Sequence, residues 1–229
     1  MSAPSTAAPY RAHRERQRLR ILTAARELFD ARGIDRVAVA DIVTVAGIRA
    51  STLYEYFSNK DEIVWALVED LMLQSAARTT AALDAVGGSA LAKITALVRI
   101  FEDDLVRTPE RVRFMAQFDA IYARDWSVKQ LLAVEDRVAT DRLKSLEQLI
   151  RDGIKDGSLR SDLNPRLTMH ALLNALIGTQ RRLASLGSRV EEEYGKSVRQ
   201  LFHESTRILL LGLSAHAPVA EQSKSTPRR

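Results

Sequence analysis

The stretch Ala38–Lys60, AVADIVTVAGIRASTLYEYFSNK, decides how the rest of the chain is read. Asp41, Ile42, Val43 and Ala46 belong to one short helical unit, and Ile42 and Ala46, four apart, share a face. Gly47 follows, where a positive φ closes a helix at no steric cost, and Ile48 plugs the turn. A second helix is predicted from about Arg49 to Phe57, with Leu53 and Phe57 again four apart on one face. At roughly 100° per residue the opposite face carries Ser51, Thr52 and Glu55, with Tyr54 on its flank. Two short helices joined by a Gly-containing turn make a helix-turn-helix, whose second helix is of a size to enter a DNA major groove.

On the N-terminal side, RAHRERQRLR brings Arg11, Arg14, Arg16, Arg18 and Arg20. It runs into a helix with one apolar stripe, Ile21, Leu22, Ala25, Leu28 and Phe29, ended by Gly33. Positive charge is unfavourable at a helix N-terminus, so these arginines suit a DNA backbone better than a bare helix end. Residues 1–10, mostly Ser, Thr, Ala and Pro, lack the apolar side chains to fold and are expected to be a disordered tail. On the C-terminal side, Ser58 or Asn59 caps a long helix, with Asp61 and Glu62 in its first turn. Its apolar residues run from Ile63 to about Leu83, until Gly87-Gly88 breaks it.

The remainder reads as helices only. Leu91 to Leu105 is one stripe; Thr108-Pro109 opens a second helix; a third runs from about Ser127 to Asp152. Asn164-Pro165 opens another, with Pro at the first helical position, ending near Leu186-Gly187. The last carries Val198, Leu201, Phe202, Ser205, Ile208 and Leu209 at three-four spacing. Residues 214–229 are expected to be a second loose tail. The fold class is all-α: a three-helix head that carries the helix-turn-helix, 11–60, followed by a larger helical domain, 61–213.

Charge is unevenly placed. Residues 1–60 hold ten Lys/Arg against six Asp/Glu, whereas residues 61–229 hold 24 against 23. The excess beside the helix-turn-helix suits phosphates. There is no cysteine, hence no disulfide framework or thiolate chemistry. No apolar run reaches membrane-spanning length and no signal-type stretch opens the chain, so a cytoplasmic location is expected.

Enzyme chemistry leaves no trace in the sequence. There is no phosphate-cradling Gly loop, no G-x-S-x-G elbow and no H-E-x-x-H. His13, His170, His203 and His216 are scattered, and none pairs at metal-ligand spacing. Neither a cofactor nor a metal is expected. Asp103-Asp104 and Glu191-Glu192-Glu193 read as solvated helix faces.

Gly33, Val39, Asp41-Ile42, Ala46-Gly47-Ile48, Thr52-Leu53-Tyr54, Tyr56-Phe57 and Lys60 resemble the TetR family of transcriptional regulators in order and spacing. The resemblance covers roughly a quarter of the chain; elsewhere it extends to helix content and length. Departures are Ala38, where the family usually has a Ser or Thr cap that also reaches a phosphate, Val43 for a small Ala, Arg49 for Ser, and Ser51 for Gly. Ala38 makes neither the cap nor the phosphate contact, and loss of such a cap costs about 1 kcal/mol. Arg49 gives up a cap and adds a cation at the groove.

The resemblance implies a homodimeric, ligand-responsive repressor on double-stranded DNA with a palindromic operator. Ser51, Thr52 and Tyr54 are expected at base edges or the adjoining phosphates, next to Arg49 and Ala50. Tyr56 and Lys60 match the family's phosphate-contacting positions. The alternative for Tyr54 and Tyr56 is packing beneath the motif. A two-fold dimer is expected from the last two long helices. Ala171, Ala175 and Gly178 form a small ridge, and Val198, Leu201, Phe202, Ser205, Ile208 and Leu209 the larger complement. The alternative is that both stripes face their own core.

Family members commonly bind small molecules between the middle helices. A mostly uncharged effector is accordingly expected among Phe101, Phe114, Met115, Phe118, Tyr122 and Trp126, oriented by Tyr122, Asn174 or Gln180; ordinary core packing is the alternative. Its binding would shift the population toward a splayed dimer by moving the linking helix, Lys60 to Leu83. Two other functions compete: an all-helical enzyme or small-molecule carrier whose helix-turn-helix does not read DNA, and a helical interaction protein.

Overall fold

A computed structural model describes residues 7–139 and 142–215. The described helices are α1 (Ala7–Arg32), α2 (Val39–Ala46), α3 (Ala50–Tyr54), α4 (Lys60–Ala85), α5 (Ala90–Arg107), α6 (Pro109–Asp125), α7 (Val128–Ala139), α8 (Arg142–Lys155), α9 (Pro165–Leu186), α10 (Arg189–Tyr194) and α11 (Val198–Leu213). Among the described residues the one β element is an isolated antiparallel bridge, Leu159 to Ser214. None of the described helices is long and apolar enough to cross a membrane.

Local chemistry sets most boundaries. Gly33, at φ 86°, ends α1 and donates its N–H to Phe29 O at 2.9 Å. Asn59 caps α4, its Oδ1 accepting Glu62 N–H at 2.9 Å. Asn164 caps α9 in the same way, with Pro165 in the first turn. Ser197 and Gln200 form a capping box on α11.

Two hydrophobic cores result. The first joins α1–α3 to the N-terminal half of α4, to Phe114, Phe118 and Ile121 of α6, and to Val134 of α7. The second is built from α5, α8, α9, α10 and α11, with Val112 of α6. The head therefore shares its core with the linking helix and with α6, so movement of either is felt in the head.

The structure departs from the sequence reading at the N-terminus. Helix α1 begins at Ala7, inside the expected tail, because Pro9 falls in the first turn, where a missing N–H leaves no hydrogen bond broken. Along the helix expected from about Ser127 to Asp152 the structure describes α7 and α8, and residues 140–141 between them lie outside the described residues. The short α10 carries Glu191-Glu192-Glu193, exposed as a solvated helix face, and its bounds were not foreseen because the acidic run shows no apolar period. At the C-terminus Ala215 N–H still donates to Ser158 O at 3.2 Å. Residues 1–6 and 216–229 of the two expected tails, with His216, lie outside the described residues.

Candidate nucleic-acid interface and effector cavity

The turn between α2 and α3 forms as its residues dictate. Gly47 sits at φ 59° and donates to Thr44 O at 3.1 Å, and Ile48 N–H donates to Val43 O at 3.3 Å. This pairing satisfies the last carbonyls of α2. Ala38, without a hydroxyl, caps α2 only through its own N–H, which donates to Asp41 Oδ2 at 2.8 Å. Helix α3 is shorter than expected, Ala50–Tyr54, with Arg49 extended at its N-cap position. Leu53 and Phe57 are buried and seat it on the first core.

The opposite surface is open. Arg49, Ala50, Ser51, Tyr54 and Glu55 are exposed, and Thr52 is half-buried. Tyr54 is 55% exposed, so it does not pack beneath the motif. Tyr56 is half-buried against the core, and the Arg14 guanidinium lies 5.4 Å over its ring. Arg18 stacks in the same way over Phe57 at 5.7 Å. The N-terminal half of α1 is thereby laid against the segment that follows α3. The four-residue spacing of Arg14 and Arg18 was visible in the sequence; the aromatic partners 42 and 39 residues away were not.

Lys60, expected at a phosphate, has a structural role. Its Nζ donates to Ile34 O at 2.9 Å and to Val37 O at 3.1 Å, so two of its three donors tie α4 to the α1–α2 loop. Gln117 of α6 reaches the same loop, its Oε1 accepting Ile34 N–H at 2.9 Å. Phe114 stacks on Phe29 at 6.2 Å, and Arg113 pairs with Asp30 at 3.3 Å. One face of α6 thus docks on the head.

Its other face lines a cavity of about 570 Å³ between α4, α5, α6, α7 and α9. Phe101, Met115, Phe118, Tyr122, Asn174 and Gln180 all border it. Gln180 is buried and donates Nε2 to Phe101 O at 2.8 Å; Asn174 donates Nδ2 to His170 O at 2.9 Å, back along its own helix. Two residues expected there are elsewhere. Phe114 points at Phe29 in the head. Trp126 packs on Trp65 with ring centroids 5.2 Å apart and donates Nε1 to Asp61 Oδ2 at 3.2 Å. Phe114 faces the head and Trp126 the seam between the start of α4 and α7, a sidedness that aromatic composition does not reveal.

The cavity is also more charged than expected. Arg78, Asp104, Arg111, Asp119, Glu135 and Arg181 border it. They come from five helices, so no local motif announced them. Arg78 pairs with Asp104 and Arg181 with Asp119. Burial lowers the Arg181 pKa to about 10, leaving it a cation at neutral pH. Burial, and then the neighbouring Asp136, raise the Glu135 carboxyl above its usual range.

On the last two long helices, Ala171, Gly178 and Ile208 are exposed, and Ala175 and Ser205 half-buried. Val198, Leu201 and Leu209 are half-buried against their own second core. Phe202 is fully buried in that core, which removes it from the expected dimer surface. Leu167, 68% exposed one turn before Ala171, was missed and extends the open face of α9. Among the described residues no group of three His, Asp or Glu is placed to hold a metal.

With this geometry in place, comparison with known proteins is specific. Residues 21–67 match the family model of bacterial regulatory proteins, tetR family. The HTH-type transcriptional repressor KstR2 of Rhodococcus jostii (strain RHA1) is 26% identical over 171 residues, covering 68% of this chain and 74% of the relative. Among solved structures, the ketosteroid transcriptional regulator KstR2 of Mycobacterium tuberculosis superposes with a TM-score of 0.63 at 22% identity, over 86% of this chain and 94% of that one. FadR from Bacillus subtilis, solved in complex with stearoyl-CoA, does so with a TM-score of 0.63 at 19% identity, over 85% and 98%. The open face of α3 and the head seated on α4 fall within the matched residues: residues 21–67 have the sequence of the tetR family's regulatory proteins, on a chain whose fold is shared with the KstR2 and FadR structures.

Proposed function

We propose that the protein is a homodimeric repressor that grips a palindromic operator with two copies of α3 and releases it when a small, mostly apolar effector fills the cavity. The observation that carries the DNA part is the exposure of Arg49, Ala50, Ser51 and Tyr54 on a helix anchored by fully buried Leu53. Ser51, Thr52 and Tyr54 meet base edges or the adjoining phosphates, and Tyr56 with the third donor of Lys60 meets the backbone. Residues 11–60 form the DNA-binding domain and residues 61–213 the effector-binding and dimerisation domain. The protein works in the cytoplasm, where its DNA is.

The dimer forms through α9 and α11. Their open faces carry Leu167, Ala171, Ala175 and Gly178 on one helix and Leu201, Ser205, Ile208 and Leu209 on the other. Around Gly178 there is nothing within 4 Å of where a Cβ would stand, which leaves room for a close helix approach. Two-fold symmetry then sets the operator half-sites one helical turn or a multiple apart.

The ketosteroid regulator and the stearoyl-CoA complex among the relatives both point to effectors with large apolar bodies. Filling the cavity moves α4 and α6, which each line it and each hold the head, and so changes the separation of the two recognition helices. The effector must prefer the released arrangement to the DNA-bound one, since equal affinity shifts nothing. The test is a mobility-shift titration of the full chain on DNA upstream of its own gene against a scrambled duplex. A sequence-specific, salt-sensitive shift is expected; equal affinity for both duplexes overturns the reading.

A further inference from the structure

We propose that the effector is an amphiphile with an apolar chain and an anionic head group, and that Arg111 selects the head. This rests on the reading of the cavity as the effector site. Of the three guanidiniums at the cavity, Arg78 and Arg181 are neutralised by Asp104 and Asp119. Arg111 has no carboxylate partner among the described residues; its Nη1 donates to the neutral Gln74 Oε1 at 3.0 Å. A half-buried guanidinium with its remaining donors uncommitted matches the paired oxygens of a carboxylate or a phosphate.

The position of Arg111 sets the orientation of the chain. Arg111 and Tyr122 both border the cavity on α6, about 16 Å apart along the helix axis at its usual rise. The far end is aromatic: Phe118 and Tyr122 stack with centroids 5.8 Å apart. The head lies at Arg111 and the tail runs toward this pair. The head also has a route to the DNA-binding domain. Gln74 is oriented by its Nε2, which donates to Asp70 Oδ2 at 2.9 Å, and that same oxygen accepts from Arg26 Nη2 of α1 at 3.3 Å. An anion that draws Arg111 away from Gln74 disturbs a chain of polar contacts ending in the head.

Glu135 is the competing determinant, since it is the cavity carboxylate without a cation partner among the described residues and would favour an ammonium head. Its raised pKa weakens that reading, because burial there already disfavours the charged carboxylate.

Calorimetric titration of the full chain with dodecanoate, dodecyl phosphate, dodecanol and dodecylamine, each below its micelle threshold, decides between them. The two anions are expected to bind at least about tenfold tighter than the alcohol, as a charged hydrogen bond provides, and to release the DNA in the same ranking. Arg111→Gln should erase that preference while leaving dodecanol affinity in place, and Arg111→Lys should restore part of it. Equal affinity for all four compounds leaves the effector cavity standing and overturns the head-group assignment. So does tightest binding of the amine, or an anion preference that survives in Arg111→Gln. Should Arg111→Gln fail to fold, the wild-type ranking and Arg111→Lys decide. If no compound binds while DNA is still shifted, the cavity reading falls with this one.

Discussion

Gln117 and Lys60 hold one residue, Ile34, by its two backbone polar groups: Gln117 Oε1 accepts the N–H at 2.9 Å and Lys60 Nζ donates to the C=O at 2.9 Å. The first comes from α6 and the second from α4, so two of the five helices that line the cavity are fastened to the loop that positions α2. Gln117→Leu leaves the N–H of a buried residue without its partner. A loss of about 1–3 kcal/mol in stability is expected, read as a lower melting temperature. Faster hydrogen exchange at the Ile34 amide, together with weaker DNA binding, would attribute the loss to this loop.

Lys60→Ala should lower the melting temperature, because two part-buried carbonyls lose a charged donor. It should also weaken binding to all DNA sequences alike. Arg14→Ala, which removes an exposed cation beside Tyr56, is expected to flatten the salt dependence of binding by roughly one unit with little change in stability. A binding curve against salt concentration separates the two effects.

Thr52→Ala should cost about 1–3 kcal/mol of operator affinity and relax the preference at one base position. Tyr54→Phe removes only a hydroxyl on an exposed ring, so the fold should be untouched while operator binding weakens. Unchanged affinity in both variants, measured by mobility shift, would remove these residues from the interface.

Two glycines separate folding from association. A Cβ on Gly153 would stand 2.5 Å from Leu159 Cγ and 3.0 Å from Ala90 Cβ, so Gly153→Ala should destabilise the monomer by about 1–3 kcal/mol. Gly178 is open, and Gly178→Arg should leave the monomer's fold intact while preventing dimerisation. Sedimentation at micromolar concentration checks this; a dimer surviving Gly178→Arg would place the interface elsewhere.

The Glu135 carboxyl has its pKa raised by burial and by Asp136, so the folded state favours its protonated form. Its contribution to stability is complete below the unfolded carboxylate range and is lost as pH rises through the raised value. Glu135→Gln should therefore raise the melting temperature at neutral pH, with the gain shrinking as pH falls toward the acidic range.

The helix-turn-helix and the exposed face of α3 could be read from residues 38–60 alone, and the all-α class from the apolar stripes along the rest of the chain. Their causes are local: four-residue spacing of Ile42 with Ala46 and Leu53 with Phe57, and a glycine where the backbone turns left-handed. Such signals act within one or two helical turns, and one chain carries them in plain order. Which side of a middle helix faces the head and which faces the cavity is a different matter. Phe114 and Phe118 are four apart on α6, yet Phe118 borders the cavity and Phe114 stacks on Phe29, 85 residues away in sequence. The charges of the cavity converge from five helices, and the loop at Ile34 is held by side chains 26 and 83 residues away. Only the tertiary structure decided these contacts, because they depend on how helices cross, and a helix's own periodicity is the same whichever neighbour it meets.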